Sequence, residues 1–433
     1  LILKKAITIL VFFSLVLSSC APLKRSAKRM DTVFENAKAF RQGFSGLVIY
    51  DSKNGKTLYS RNGDRYFTPA SNTKLFTFYT GLKLLGDSLT ALKYTVKGDS
   101  LIFKGNGDPS FLYADFDSQN VLDFLKKQNK QLFYLAPNYA ETALGPGWAW
   151  DDYNDYYSAE RNDFPMYGNV VLFERSEGEI NLNVLPEIFE DSIRKKSGVQ
   201  KVVRERSKNS FYVGENLSAF KKTVPFVTST ETTARILSDT LHLKVDVLRN
   251  IAPNLKLDQT IKSVSADSVY KAMLFPSDNF IAEQLLLMAA AKISDTLKTS
   301  IAINYMLKND LKDLPDKPQW RDGSGLSRYN LFTPRTLVAL VEKIRNEVPI
   351  EKLKKLLPAG GASGTLENYY KAQTPYIFAK TGSLSNNHSL TGLLITKSGK
   401  VLSFSFMNSN YVVSSADLKA AMEEVLLLAR DSF

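Results

Sequence analysis

Three short elements of this sequence carry groups that could do covalent chemistry together. They are Ser71-Asn72-Thr73-Lys74, Ser277-Asp278-Asn279 and Lys380-Thr381-Gly382, in that chain order. A serine hydroxyl becomes a nucleophile only beside a base. Neither histidine of the chain, His242 or His388, is an obvious partner for a serine, so a Ser-His-Asp triad is not evident. His388 follows the third element closely and reads either as a polar strand-edge residue or as a helper of that element. Lysine can replace histidine as the base if its pKa falls from about 10.4 toward neutrality. Burial and a neighbouring cation both push it that way, and Lys380 is the candidate cation.

None of the three elements is specific alone. Ser-x-x-Lys recurs at Ser192/Lys195, Ser218/Lys221 and Ser268/Lys271, and Ser-x-Asn at Ser118, Ser207 and Ser385. Lys-Ser-Gly, a variant of the third element, occurs at Lys196 and Lys397. Context separates the first-named set from these. Pro69 opens a helix, so Ser71 and Lys74 share one face a turn apart. Ser277-Asp278-Asn279 follows Pro276 and caps a long helix. Lys380-Thr381-Gly382 lies on an expected strand, where Gly382 permits close approach of another backbone.

The elements that must hold these groups are legible in outline. Phe44–Tyr50 and Lys56–Arg61 read as strands joined by a turn at Asp51–Gly55. Leu75, Phe78, Tyr79, Leu82 and Leu85 recur at helical spacing. From about Leu92 to Val245 short apolar runs alternate with polar turns, a β-rich texture. Thr232–Leu241 is an expected helix within it, and Ser268–Leu274, Asn279–Ile293 and Pro334–Asn346 are expected helices beyond it. Tyr376–Gly382, Ser389–Thr396 and Val401–Met407 read as strands, followed by a helix over Ala416–Arg430 capped by Ser414 or Ser415. The expectation is one α/β domain built from 31–92 and 262–433, split by a β-rich insertion over 93–261.

The order Ser-x-x-Lys, Ser-Asp-Asn, Lys-Thr-Gly is the signature of the active-site serine penicillin-recognising enzymes. With about 200 residues between the first two elements, the chain resembles the class C low-molecular-mass penicillin-binding proteins, the D-alanyl-D-alanine carboxypeptidase/endopeptidases. Gly105–Pro109, Trp148–Asp152, Asp322–Arg328 and Gly364–Leu366 also resemble that family. The resemblance implies a penicillin-binding-protein/β-lactamase-like domain, an antiparallel sheet flanked by helices. It implies cleavage of D-Ala-D-Ala in peptidoglycan stem peptides through an acyl-enzyme, and inhibition by β-lactam antibiotics. In these roles Ser71 is the nucleophile and Lys74 its base. Ser277 relays a proton to the leaving group, and Asn279 binds the substrate amide and holds Lys74. Lys380 supplies positive potential, and Thr381 and Ser383 bind the terminal carboxylate, with Gly382 and Asp278 beside the substrate. The family pattern places the oxyanion hole at the backbone N–H groups of Ser71 and Ser383. The rivals are a serine β-lactamase, a non-catalytic peptidoglycan-binding lipoprotein and an esterase. Glu179, in a Glu-x-x-Leu-Asn pattern that carries a deacylating glutamate in class A β-lactamases, precedes Ser277 here instead of following it. Ser324 reads as part of a glycine-rich loop, and Trp148 and Trp150 as ordinary core or hinge aromatics or a sugar-binding surface.

The 433 residues, 44% apolar and 23% charged, suit two or three folded domains and exclude wholesale disorder or a polytopic membrane protein. One cysteine, Cys20, excludes an internal disulfide, and two histidines argue against a metal site, so no cofactor is expected. The net charge of +12 is concentrated near the start, at Lys4, Lys5, Lys24, Arg25, Lys28 and Arg29. There is no zinc-finger spacing or basic reading helix, so nucleic acid is not an expected partner. Lys4-Lys5, the apolar run Ala6–Leu17 and Leu17-Ser18-Ser19-Cys20 read as a lipoprotein signal over 1–19. Cys20 would be lipidated and anchor an exported bacterial protein to a membrane facing the periplasm, with the outer membrane favoured. Residues 20–30 read as a basic tether.

Overall fold

The computed structural model describes residues 24–433 apart from 118, 137–138, 179–180, 216–217 and 250–254. The expected signal segment, Cys20 and Glu179 lie outside the described residues. Residues 24–36 form a helix, so the later part of the expected tether is ordered structure. Its Met30 and Phe34 are buried in a core with Phe40 and Phe406, an apolar commitment that the basic composition of the segment conceals.

Packing divides the chain into two compact units. Of the described residues, one holds 24–75 with Leu314–Gln319 and Asn330–Phe433; the other holds those of Phe76–Asp313 and Trp320–Tyr329. The changes of sequence texture at 92/93 and 261/262 fall elsewhere. They lie within the strands Ser88–Lys97 and Gln259–Ser265, which pair with each other.

The first unit is built on a five-stranded antiparallel sheet. Its order is Ile377–Leu384, Asn387–Ile395, Val401–Ser409, Phe44–Asp51, Lys56–Arg61. Alternation along the strands turns Leu47, Ile49, Leu390, Phe404 and Phe406 into one core with Leu418, Met422 and Leu426 of the C-terminal helix Ser415–Ser432. Ser414 caps that helix by accepting from Asp417 N–H. On the strand Val401–Ser409, Ser403 bonds to Glu342 and Arg345 of the helix Pro334–Glu347. Strands Asn387–Ile395 and Val401–Ser409 are buried along almost their whole length, as expected for strands covered on both faces.

The second unit contains a five-stranded mixed sheet ordered Val245–Leu248, Gln131–Leu135, Ser100–Gly105, Ser88–Lys97, Gln259–Ser265. Two three-stranded sheets accompany it, and Phe103, Tyr134, Phe164, Phe173 and Phe211 fill its core. Its longest helix, Asn279–Ser294, is buried continuously from Phe280 to Ala291.

Candidate active site

In the first unit, Pro69 leads into a 3-10 turn, Ala70–Thr73, that continues as the helix Lys74–Leu84. Ala70 has φ 47°, a left-handed conformation that costs a residue with a side chain about 1–3 kcal/mol and recurs at functional sites. It places Ser71 at the head of the turn. Lys74 is 0% exposed, and its Nζ donates to Ser71 Oγ at 2.9 Å.

The edge strand Ile377–Leu384 brings the third element to the same place. A Cβ on Gly382 would lie 2.5 Å from Pro69 O and 2.9 Å from Ser71 N, so only glycine lets the strand come this close. The contact is fastened on both sides. Asn72 Nδ2 donates to Lys380 O at 2.9 Å, and Ser389 Oγ donates to Pro69 O at 2.6 Å. Lys380 is fully buried and its Nζ donates to Thr381 O at 2.9 Å. Burial, and then the charge of Lys74, push the Lys380 pKa well below the usual lysine range. Thr381 Oγ1 donates to Thr365 Oγ1 at 2.8 Å, which ties the Gly364–Leu366 turn to the strand. Ser383, two residues on, is exposed on the same face as Thr381. The structure thus brings together Ser71, Lys74, Lys380, Thr381, Gly382 and Ser383.

The Ser277-Asp278-Asn279 element belongs to the second unit. Ser277 has φ 68° and precedes the helix Asn279–Ser294. Asp278 is the N-cap: its Oδ1 accepts from Ile281 N–H at 2.8 Å, and its Oδ2 accepts from Tyr113 OH at 2.5 Å. Burial and the Asp278 charge push the Tyr113 pKa up, so Tyr113 stays a donor. Asn279 Nδ2 donates to Tyr157 O at 2.9 Å. These residues line a cavity of about 340 Å³ whose other walls include Tyr113, Tyr156 and Tyr167.

Behind them lies a buried polar centre. Glu283 sits one helical turn beyond Asn279, fully buried. Its Oε1 accepts from Gly323 N–H at 2.9 Å and Ser324 N–H at 2.8 Å, and its Oε2 accepts from Arg161 Nη1 at 3.2 Å. Burial, reinforced by Asp322, outweighs Arg161 and raises the Glu283 pKa to about 7. Asp322 itself accepts from Gly325 N–H, Ser327 N–H and Trp148 Nε1. Ser324 is therefore a buried part of a folded loop, and Trp148 is hydrogen-bonded to that loop through Asp322. Trp150 is 65% exposed, beneath the Arg206 guanidinium.

Sequence reading alone missed Glu283, Arg161 and Tyr113. The one available signal was Glu283-Gln284 interrupting an apolar helical run. Reading also left His388 undecided. It is buried, and its Nδ1 lies 2.8 Å from Ser383 Oγ. Burial, with Lys419 and Lys380, lowers its pKa to about 3, so the ring is neutral.

Residues 26–431 match the family described as D-Ala-D-Ala carboxypeptidase 3 (S13). The chain is 25% identical to the penicillin-sensitive carboxypeptidase A of Dictyostelium discoideum, over 88% of this chain and 85% of that protein. Its fold is similar to the crystal structure of penicillin binding protein 4 (dacB) from Haemophilus influenzae, with a TM-score of 0.71 and 20% identity over 92% of this chain and 97% of that one. The same protein complexed with a β-lactam gives a TM-score of 0.67 and 19% identity over the same shares.

Proposed function

Because this chain belongs to the D-Ala-D-Ala carboxypeptidase 3 (S13) family, we propose that its reaction runs through an ester on Ser71. It is a serine D,D-carboxypeptidase of the low-molecular-mass penicillin-binding type, with carboxypeptidase/endopeptidase activity on peptidoglycan. One observation carries the assignment of the nucleophile: buried Lys74 Nζ stands 2.9 Å from Ser71 Oγ.

Lys74 takes the Ser71 proton as Oγ attacks the carbonyl carbon of the penultimate D-Ala. The oxyanion that forms is stabilised by the backbone N–H groups of Ser71 and Ser383. The C–N bond then breaks as Ser277 gives its proton to the departing amine and is reprotonated by the proton Lys74 took from Ser71, which leaves Lys74 neutral again. Water, deprotonated through Lys74, attacks the ester and restores the Ser71 hydroxyl. Asn279 binds the substrate amide. Lys380 supplies the positive potential, and Thr381 and Ser383 donate to the terminal carboxylate. A β-lactam enters by the same attack, its ring C–N bond opening in place of the peptide bond.

The test is release of D-Ala from a synthetic pentapeptide stem and cleavage of a cross-linked stem dimer, each followed by mass spectrometry. Turnover of either by the protein, lost in Ser71→Ala, is expected. Turnover by Ser71→Ala equal to that of the unaltered protein would remove Ser71 from the mechanism.

The sequence pattern around Cys20 supports a second proposal, that the protein is an exported lipoprotein held to a periplasmic membrane face. Labelled palmitate incorporated into the protein but not into Cys20→Ala is the expected result, and equal labelling of both would contradict it.

A further inference from the structure

The hairpin that carries Ser383 also carries a device for setting the direction of its hydroxyl. Strands Ile377–Leu384 and Asn387–Ile395 are joined by Ser385-Asn386, with Asn386 at φ 64°. A two-residue connection fixes the register of the pair. That register places Ser383 directly opposite His388. Ser383 is exposed, whereas His388 is 2% exposed, and the two side chains meet at 2.8 Å between Oγ and Nδ1. The strand that carries His388 is fastened on both sides of it. His388 O accepts from Asn408 Nδ2, and Ser389 Oγ is fastened to Pro69 O.

A neutral imidazole carries one N–H and one bare nitrogen. If Nδ1 carries the hydrogen, it donates to Ser383 Oγ, and the serine O–H is left to point outward as a donor. If Nδ1 is bare, it takes the serine hydrogen, and Ser383 presents only lone pairs to a ligand. A carboxylate is an acceptor only, so it is bound by the first arrangement and repelled by the second. Burial keeps the imidazole neutral at ordinary pH, so this choice persists there.

We propose that His388 is a positioning residue, held as the Nδ1–H tautomer, which turns the Ser383 hydroxyl outward and so selects substrates with a free terminal carboxylate. This rests on the reading of Ser383 as a carboxylate donor. His388 touches no reacting atom; it acts through Ser383.

The experiment measures kcat and KM for a pentapeptide stem with a free C-terminal carboxylate and for the same peptide amidated at its C-terminus. His388→Leu should lower kcat/KM for the free acid by about 10- to 100-fold, the worth of one hydrogen bond to a charged group. The amidated peptide should change by less than about 3-fold, and His388→Asn, whose side-chain amide can still donate, should recover most of the preference. In the unaltered protein labelled with ¹⁵N-histidine, the nitrogen shifts of the buried ring should report hydrogen on Nδ1, with exposed His242 as the internal contrast. This second readout does not depend on any variant folding. A bare Nδ1, or an unchanged acid-to-amide preference in His388→Leu, overturns the proposal. Ser383→Ala separates the two levels. If it loses the preference while His388→Leu keeps it, only the role of His388 fails. If Ser383→Ala also keeps the preference, the reading of Ser383 fails and the proposal falls with it.

Discussion

Each compact unit buries a set of charges, and the two sets are built in opposite ways. In the first unit Lys74 and Lys380 are both buried, and the influences on Lys380 (burial and the Lys74 charge) both drive its proton off. In the second unit the carboxylate of Glu283 is equally buried and also has a like charge near it, Asp322, but it accepts two backbone N–H groups and faces Arg161. Like charges gathered in low dielectric prepare a proton transfer. A carboxylate saturated with donors fastens a loop. Placement alone does not mark a buried charge as catalytic. The two differ in their hydrogen bonds: Lys74 reaches a serine hydroxyl, whereas Glu283 is taken up by backbone N–H groups and Arg161.

This contrast can be broken by mutation, beginning with the largest effect. Lys74→Met should lower kcat/KM by about 10⁴-fold or more, since removing a serine's base can cost as much as removing the serine. Its circular dichroism should match that of the unaltered protein, and a loss below about 100-fold would mean another group serves as base. Glu283→Ala should do the reverse, lowering stability by about 3–5 kcal/mol in urea unfolding, because it takes from buried Arg161 the nearer of two carboxylate partners and leaves two buried backbone N–H groups without their acceptor. Glu283→Gln keeps an acceptor for Gly323 N–H and Ser324 N–H and should lose less. If Glu283→Ala were as stable as the unaltered protein, the loop would have some other fastening.

Gly382→Ala should lower turnover by about 100-fold, the scale of a displacement near 1 Å at a reacting centre. Its Cβ collides with Pro69 O and forces the edge strand away from Ser71. Full activity in this variant would show that the approach is not needed.

The smallest effects are two slopes of opposite sign in stability against pH. Lys380 has its folded pKa depressed below 10.5, so the unfolded chain binds its proton more tightly. Stability therefore rises as pH climbs from the depressed value to 10.5, while activity falls as the positive charge is lost. Glu283 has its folded pKa raised from 4.5 to about 7, so stability falls as pH climbs through that interval. Lys380→Met should flatten the alkaline slope, and Glu283→Gln the acidic one. Unfolding free energies measured across pH in the three proteins check both signs.

Much of the cationic site was legible in sequence, because its parts are local patterns. The strand Lys56–Arg61 has the ends its alternation suggests, and Pro69 announces the turn that presents Ser71. Gly382 was readable as a point of close approach, which a backbone collision now explains. The carboxylate centre was not legible. Glu283, Arg161 and Asp322 are far apart in the chain, and only tertiary packing brings their groups together. His388 was left undecided for a related reason. The expected strand began at Ser389, two residues late, and the pairing of His388 with Ser383 follows only once the register is known. Composition also misled at residues 24–30, where basic side chains mask a helix that buries Met30.

The most direct test of the catalytic assignment is to trap the acyl-enzyme. The protein is incubated with benzylpenicillin, quenched in acid, digested and sequenced by mass spectrometry. A single penicilloyl group on the peptide containing Ser71, absent in Ser71→Ala and sharply slowed in Lys74→Met, is the expected result. An adduct on any other serine, or equal labelling of the Ser71→Ala protein, would contradict it.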